Sequence, residues 1–401
     1  MNSNKKIEPW ILSKDVYFHA LIPFLTTETF LTLSRTSKYF YKLFQDENSG
    51  SFVYYTLKSK PKTNNLYNII HLDCSKHPEI ITDDVLLCFP NLQTLNITGC
   101  FNLTDDGFKS LKGKIKNLNM SRCNQKKITD SAFVNFKGTI QTLDMSRCNQ
   151  ETITNGAFIN LNSTIKNLNI SGCDQKTISD EGFQYLKGIE ILNMKNCDQI
   201  TITDKAFVFI SRTITDLDIS NCNQWTITDK TFENFHGIKK LNISNSSRLI
   251  TNQAFRSLKG TIINLNMSGC NQIKITDECF KELSGTIEIL NMSHCNQLSI
   301  TDEGIKGLYP TIKVLDMSYC KQETITDFGL ESIRGCVENL NILGCHQKSI
   351  TKKKIDEMRM STPKFFFECK NFLSTFFSNM ISRQIQIFFE KISIEIHIKH
   401  Q

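Results

Sequence analysis

Thiols and imidazoles are the groups in this 401-residue chain best suited to chemistry, with fifteen cysteines and eight histidines. As metal ligands, nucleophiles or bases they would need convergent spacing. No Cys-x-x-Cys pair occurs, and His71, His77, His236, His294 and His346 fall at unrelated positions. The sequence also lacks a glycine-rich phosphate loop, so its residues point to no enzyme, no bound metal and no cofactor. The opening MNSNKKIEPW places no apolar stretch behind its lysines. That predicts a reducing compartment, the cytoplasm with the nucleus as alternative, and free thiols instead of disulfides.

What the cysteines do have is a period. Cys100, Cys123, Cys148, Cys173, Cys197, Cys222, Cys270, Cys295, Cys320 and Cys345 each close a short string such as LNITGC, LNMSRC or LDISNC. The leading leucines of these strings, with a degenerate first copy LDCSKH, are Leu72, Leu95, Leu118, Leu143, Leu168, Leu192, Leu217, Leu241, Leu265, Leu290, Leu315 and Leu340, at intervals of 23 to 25 residues. Self-similarity at such a period marks a stacked repeat protein. Within one unit Leu168, Asn169, Ile170 and Ser171 alternate with period two, which predicts a short strand with Leu168 and Ile170 inward and Asn169 and Ser171 outward. Beyond a loop comes apolar spacing suited to a helix, as at Phe183 and Leu186. Thr228 before Asp229 and Ser179 before Asp180 are N-cap signals, with the acid at the favourable end of the helix dipole. One strand and one short helix cannot bury both faces alone, so the units must stack.

The pattern from Ile165 through Leu168 and Ile170 to Cys173, L-x-x-L-x-L-x-x-C in outline, resembles the leucine-rich repeat of the cysteine-containing subtype. The resemblance implies an α/β solenoid of twelve repeats over residues 61–351, with parallel strands on the concave face and helices on the convex face. The cysteines then form an inward column of small buried groups. His77 and Ser246 stand where Cys is expected; the first reads as an irregularity of the cap and the second as local slack. All twelve residues after the leading leucines are Asn or Asp, from Asp73 to Asn341, and Ser or Thr follows two positions later in ten repeats. Short polar groups so placed are expected to be solvated or to bond one another and the adjoining loops.

Two departures from this monotony are candidate substrate-binding residues. Ile289 and Val314 are apolar just before the leading leucines of successive repeats, and His294 and Tyr319 precede Cys in those same repeats. Three residues after the Cys position, Ile200, Trp225, Leu249, Ile273 and Leu298 form a run of five apolar residues bracketed by Lys126, Glu151 and Lys176 on one side and Glu323 and Lys348 on the other. Repeats stacked about 5 Å apart would turn that run into a ridge roughly 20 Å long. An exposed apolar ridge with a tryptophan near its middle is the kind of surface that partners bind.

Residues 10–43, WILSKDVYFHALIPFLTTETFLTLSRTSKYFYKL, resemble the F-box, a motif of three small helices. The resemblance rests on Leu12 and Val16, Phe24 and Leu25, Leu31 and Leu33, and Lys38 with Phe40. It implies a small all-α head over residues 1–60 whose face containing Leu12, Val16, Phe24, Leu25 and Leu31 binds a Skp-type adaptor and, through it, a cullin. An F-box-like head followed by cysteine-type repeats is the arrangement of F-box receptors, in which the solenoid holds a protein substrate for ubiquitin transfer by other subunits. The alternative is a plain leucine-rich-repeat scaffold whose head only caps the first repeat. Heavy use of Asn, Lys and Ile resembles the coding of an AT-rich genome, such as that of an amoeba or an amoeba-infecting giant virus.

The formal charge of +7 does not suggest nucleic acid once mapped: residues 1–60 hold 8 Lys/Arg against 5 Asp/Glu, residues 352–401 hold 9 against 5, and the middle is neutral. A solenoid that tracks phosphates needs a basic stripe along its length. Residues 352–401 are Phe- and Ile-rich and are expected to cap the last repeat, with strand-like alternation at Ile392, Ile394, Ile396 and Ile398. Glu368, Lys370 and Asn371 near the centre of the Phe-rich stretch argue against membrane insertion.

Overall fold

The inward positions of each repeat fill a continuous core. In one unit Ile189, Leu192, Met194, Cys197 and Ile202 are at most 1 % exposed. The computed structural model describes residues 53–61, 66–67, 69–246, 249–345 and 347–366. The strands form one 14-stranded parallel sheet in chain order, from β1 (Val53–Thr56) and β2 (Ile69–Asp73) to β13 (Asn339–Asn341) and β14 (Lys364–Phe366). The twelve leading leucines lie on β2 to β13 and align across the sheet, as Leu241, Leu265 and Leu290 do. The sheet runs past residues 61 and 351 at both ends: Tyr55 of β1 aligns with Leu72, and Phe365 of β14 aligns with Leu340. The helix Lys352–Ser361 and β14 thus lie in the segment expected to cap the last repeat. The expected adaptor-binding residues Leu12, Val16, Phe24, Leu25 and Leu31 lie outside the described residues, as does the Ile392–Ile398 alternation.

Opposite the sheet, the short helix of each repeat starts at a Thr or Ser, and in one repeat it runs on into a 3-10 turn at Val134–Phe136. Thr228, for example, accepts a hydrogen bond from the Lys230 backbone N–H at 3.3 Å. Ser179 sits at the same position but its hydroxyl makes no cap bond and instead accepts from Asn155 Nδ2 at 2.8 Å. Behind the caps runs a phenylalanine spine, with Phe108, Phe133, Phe158, Phe183, Phe207, Phe232, Phe255 and Phe280 all at most 1 % exposed. Edge-to-face packing joins parts of it, as between Phe232 and Phe235 at 5.9 Å and 83°; that geometry suits the positive edge and negative face of the rings.

Polar side chains stitch the repeats together in three columns. Cys123, Cys148, Cys173, Cys197 and Cys222 each donate from Sγ to a backbone carbonyl of the preceding repeat, at 3.0 to 3.1 Å. Ser246 is not slack, because its hydroxyl makes the same bond to the Ile219 carbonyl at 2.7 Å. Helix-start carboxylates form a second column: Asp130 accepts from both the N–H and the hydroxyl of Thr154, and Asp302 from those of Thr326, at 2.6 to 2.7 Å. The strand Asn/Asp residues form the third. Each Oδ1 accepts from the backbone N–H two residues on, as Asn193 does from Lys195 and Asp316 from Ser318. Some also bond across repeats, as Asn169 Nδ2 does to Asp144 Oδ2 at 2.9 Å. The bonding expectation for this polar ladder holds, and it leaves these side chains few free acceptors.

Candidate functional site

Burial holds the thiols of the cysteine column in their neutral form. Burial pushes the Cys173 and Cys222 thiols up to about 12, because the thiolate would lose its hydration. Among the described residues no group of three or more His, Cys, Asp or Glu is placed to hold a metal ion.

The loop ridge is exposed to solvent. Ile200 is 53 % exposed, Trp225 70 %, Leu249 44 %, Ile273 81 % and Leu298 67 %, so these side chains do not fold back into their own loops. Charge closes the C-terminal end of the ridge, where Glu323 accepts from the backbone N–H groups of Lys348 and Ser349 at 3.2 and 3.1 Å. Residues beyond 366 that could lie over the ridge are outside the described residues.

On the concave face Ile289 and Val314 are half-buried and align directly in register. His294 and Tyr319, both exposed, stack with ring centroids 4.8 Å apart and planes 11° from parallel. Each has φ +57, a left-handed backbone that costs a bulky side chain about 1 kcal/mol. The backbone ladder imposes it: the N–H of His294 donates to the Ser318 carbonyl and that of Tyr319 to the Leu343 carbonyl. The same left-handed turn precedes the Cys position in every repeat from the second, and it holds Gly99, Gly172, Gly269 and Gly344 or Asn196, Asn221 and Asn245 where the residue is of the tolerant kind. Arg122 and Arg147, at φ 60 and 56, are the other two misfits. Sequence reading passed over this arginine pair, although a column otherwise made of Gly and Asn signals the left-handed turn.

Between these features Asp216 and Asp218 sit on β8 (Asp216–Asp218). Burial raises Asp216 to about 6 despite Lys240 Nζ at 3.5 Å, and it also raises Asp144, Asp218 and Asp316. An acid whose folded pKa lies above its unfolded value stabilises the fold below the unfolded value, and this contribution disappears as pH rises through the folded one. Acidification from pH 7.5 to 5 should therefore add about 1 kcal/mol of stability through Asp216, while His71, whose pKa burial lowers, works in the opposite direction over the same range. Chemical denaturation of wild type and Asp216→Asn at both values checks it; an unchanged pH response in the variant would remove Asp216 from the account.

No family model matches the chain, and no curated protein does. Solved structures do. A chain of the yeast Rad7 and Elc1 complex is 18 % identical, covered to 85 % by 73 % of this chain, with a TM-score of 0.48. A chain of the Drosophila Toll–Spätzle complex is 13 % identical, covered to 40 % by 73 % of this chain, with a TM-score of 0.49. A chain of the mouse RP105/MD-1 complex is 15 % identical, covered to 52 % by 76 % of this chain, with a TM-score of 0.55. Identities this low bear on fold alone. The sheet order, the in-register leucines and the likeness to the RP105/MD-1 chain make this protein a leucine-rich-repeat solenoid.

Proposed function

We propose that this chain is a non-enzymatic receptor whose solenoid holds a protein substrate and whose head docks a Skp-type adaptor of a cullin ubiquitin ligase. The observation that carries the receptor reading is the row of five exposed apolar side chains from Ile200 to Leu298, bounded by charge. Soluble proteins rarely leave a contiguous apolar patch uncovered without a partner for it. The concave patch of Ile289, Val314, His294 and Tyr319 is a second contact region, because two bulky residues are held in a backbone form they do not favour. The ligase assignment rests on the resemblance of residues 10–43 to the F-box. Among the described residues no helix is long and apolar enough to cross a membrane.

The adaptor half of the proposal is tested with full-length protein. Leu12→Asp with Val16→Asp should abolish co-purification of a Skp-type adaptor while thermal melting of the solenoid stays unchanged, since burying each such side chain at an interface contributes on the order of 2 kcal/mol. Adaptor binding that survives the double change, or is missing from wild type, would leave a leucine-rich-repeat scaffold whose head is only a cap.

A further inference from the structure

The left-handed column is divided into blocks. Arg122 and Arg147 are followed by Gly172, Asn196 to Asn245 by Gly269, and His294 with Tyr319 by Gly344. Each of these glycines lies under the side chain of the repeat before it. A Cβ on Gly172 would come within 3.2 Å of Arg147 Cγ, and one on Gly344 would meet the Tyr319 ring. The side chains therefore lean along the solenoid toward its C-terminal end, and the glycine makes room for the last member of each block.

The first block is cationic. Arg122 and Arg147 are exposed, in adjacent repeats, on turns fixed by bonds from their N–H groups to the carbonyls of Ser146 and Ser171. Among the described residues neither guanidinium has a hydrogen-bond or ion-pair partner. Lys76 and Lys195 are exposed at the turns of the same half of the sheet. Asp73 and Asp144 form no ion pair with them: each Oδ1 accepts from the backbone N–H two residues on, and Asp144 is buried and also accepts from Asn169. Glu151, four residues after Arg147, is exposed and pairs with neither arginine.

We propose that Arg122 and Arg147 form a two-guanidinium clamp for carboxylates of an acidic peptide segment of the bound partner. The two turns lie one strand spacing apart, about 5 Å, within reach of adjacent or alternate carboxylates on an extended chain. The middle of the solenoid carries no basic stripe that would track a longer polyanion. This inference rests on the receptor reading and names the charge of what the concave face receives.

Fluorescence anisotropy with full-length protein tests it, using a fluorescein-labelled peptide of alternating Glu and Ser, its Lys and Ser counterpart, and a single-stranded DNA of equal charge. The acidic peptide alone should bind, less tightly as salt rises, and Arg122→Asn with Arg147→Asn should weaken it by about tenfold or more. Melting temperature should hold or rise, because Asn196 and Asn221 already occupy this turn. Should the Asn variant fail to fold, Arg122→Gly with Arg147→Gly supplies the residue present at Gly99. Acidic peptide unbound, bound equally by the variant, or displaced by DNA at the same arginines overturns the clamp. Loss of adaptor binding by wild type with peptide binding intact would instead overturn only the ligase reading.

Discussion

Replacing both Trp225 and Leu298 with aspartate should remove partner proteins from affinity captures while changing the melting temperature by no more than a few degrees. Both side chains are about two-thirds exposed or more, and surface substitutions away from packed or paired groups usually shift stability by about 0.5 kcal/mol or less. Buried in a partner's pocket, the same two residues would each carry roughly 2 kcal/mol or more, so their joint loss should weaken binding about a thousandfold. Quantitative mass spectrometry of captures from cells of the source organism, set beside calorimetry of the purified variant, reads both quantities. Partners held equally by the variant would take the ridge out of the binding surface. A steep fall in melting temperature would show that the ridge packs against the protein's own chain.

Much of this architecture was legible in the sequence because a leucine-rich repeat writes its geometry in a short period. Leu168, Ile170 and Cys173 give the inward column directly, and the run from Ile200 to Leu298 is exposed as its position three residues beyond the Cys implies. The sheet's two outer strands were harder. Phe365 follows Leu340 at the usual interval, yet phenylalanine replaces the leading leucine and no LN or LD string marks it. Tyr55 lies 17 residues before Leu72, off the period altogether, so its pairing with β2 depends on tertiary contact and leaves no repeat signal. At the site, His294 and Tyr319 stood out as residue types, but their ring stacking needs the left-handed turn to bring neighbouring side chains parallel. Arg122 and Arg147 were missed for a related reason. A charged residue in a loop is unremarkable until its backbone angle is known, and only then does its place in a glycine and asparagine column mean strain.

Asp204→Ala should be among the most damaging single changes at the contacts between repeats, while Asp204→Asn should be mild. The Asp204 carboxylate accepts from the Thr228 N–H at 2.8 Å, the Thr228 hydroxyl at 2.7 Å and the Thr231 hydroxyl at 2.5 Å, all in the next repeat. Hydrogen bonds to a charged acceptor contribute about 1.5 to 3 kcal/mol each, and alanine leaves three donors without one. Their non-additivity brings the expected loss to about 3 to 4 kcal/mol. Asparagine keeps most of the arrangement, as the chain itself demonstrates. Asn252 accepts from the Thr276 N–H through Oδ1 at 3.0 Å and donates from Nδ2 to the Thr276 hydroxyl at 2.7 Å, so the reversed bond still joins the repeats. In a quasi-one-dimensional array stability is carried by nearest-neighbour interfaces, so a weakened interface between these two repeats should also uncouple the halves on either side. Urea denaturation of Asp204→Ala should then broaden or split into two steps, with hydrogen exchange fastest around Thr228 and Thr231. A single cooperative transition within about 1 kcal/mol of wild type would mean that the carboxylate column merely decorates an interface held by the phenylalanine spine.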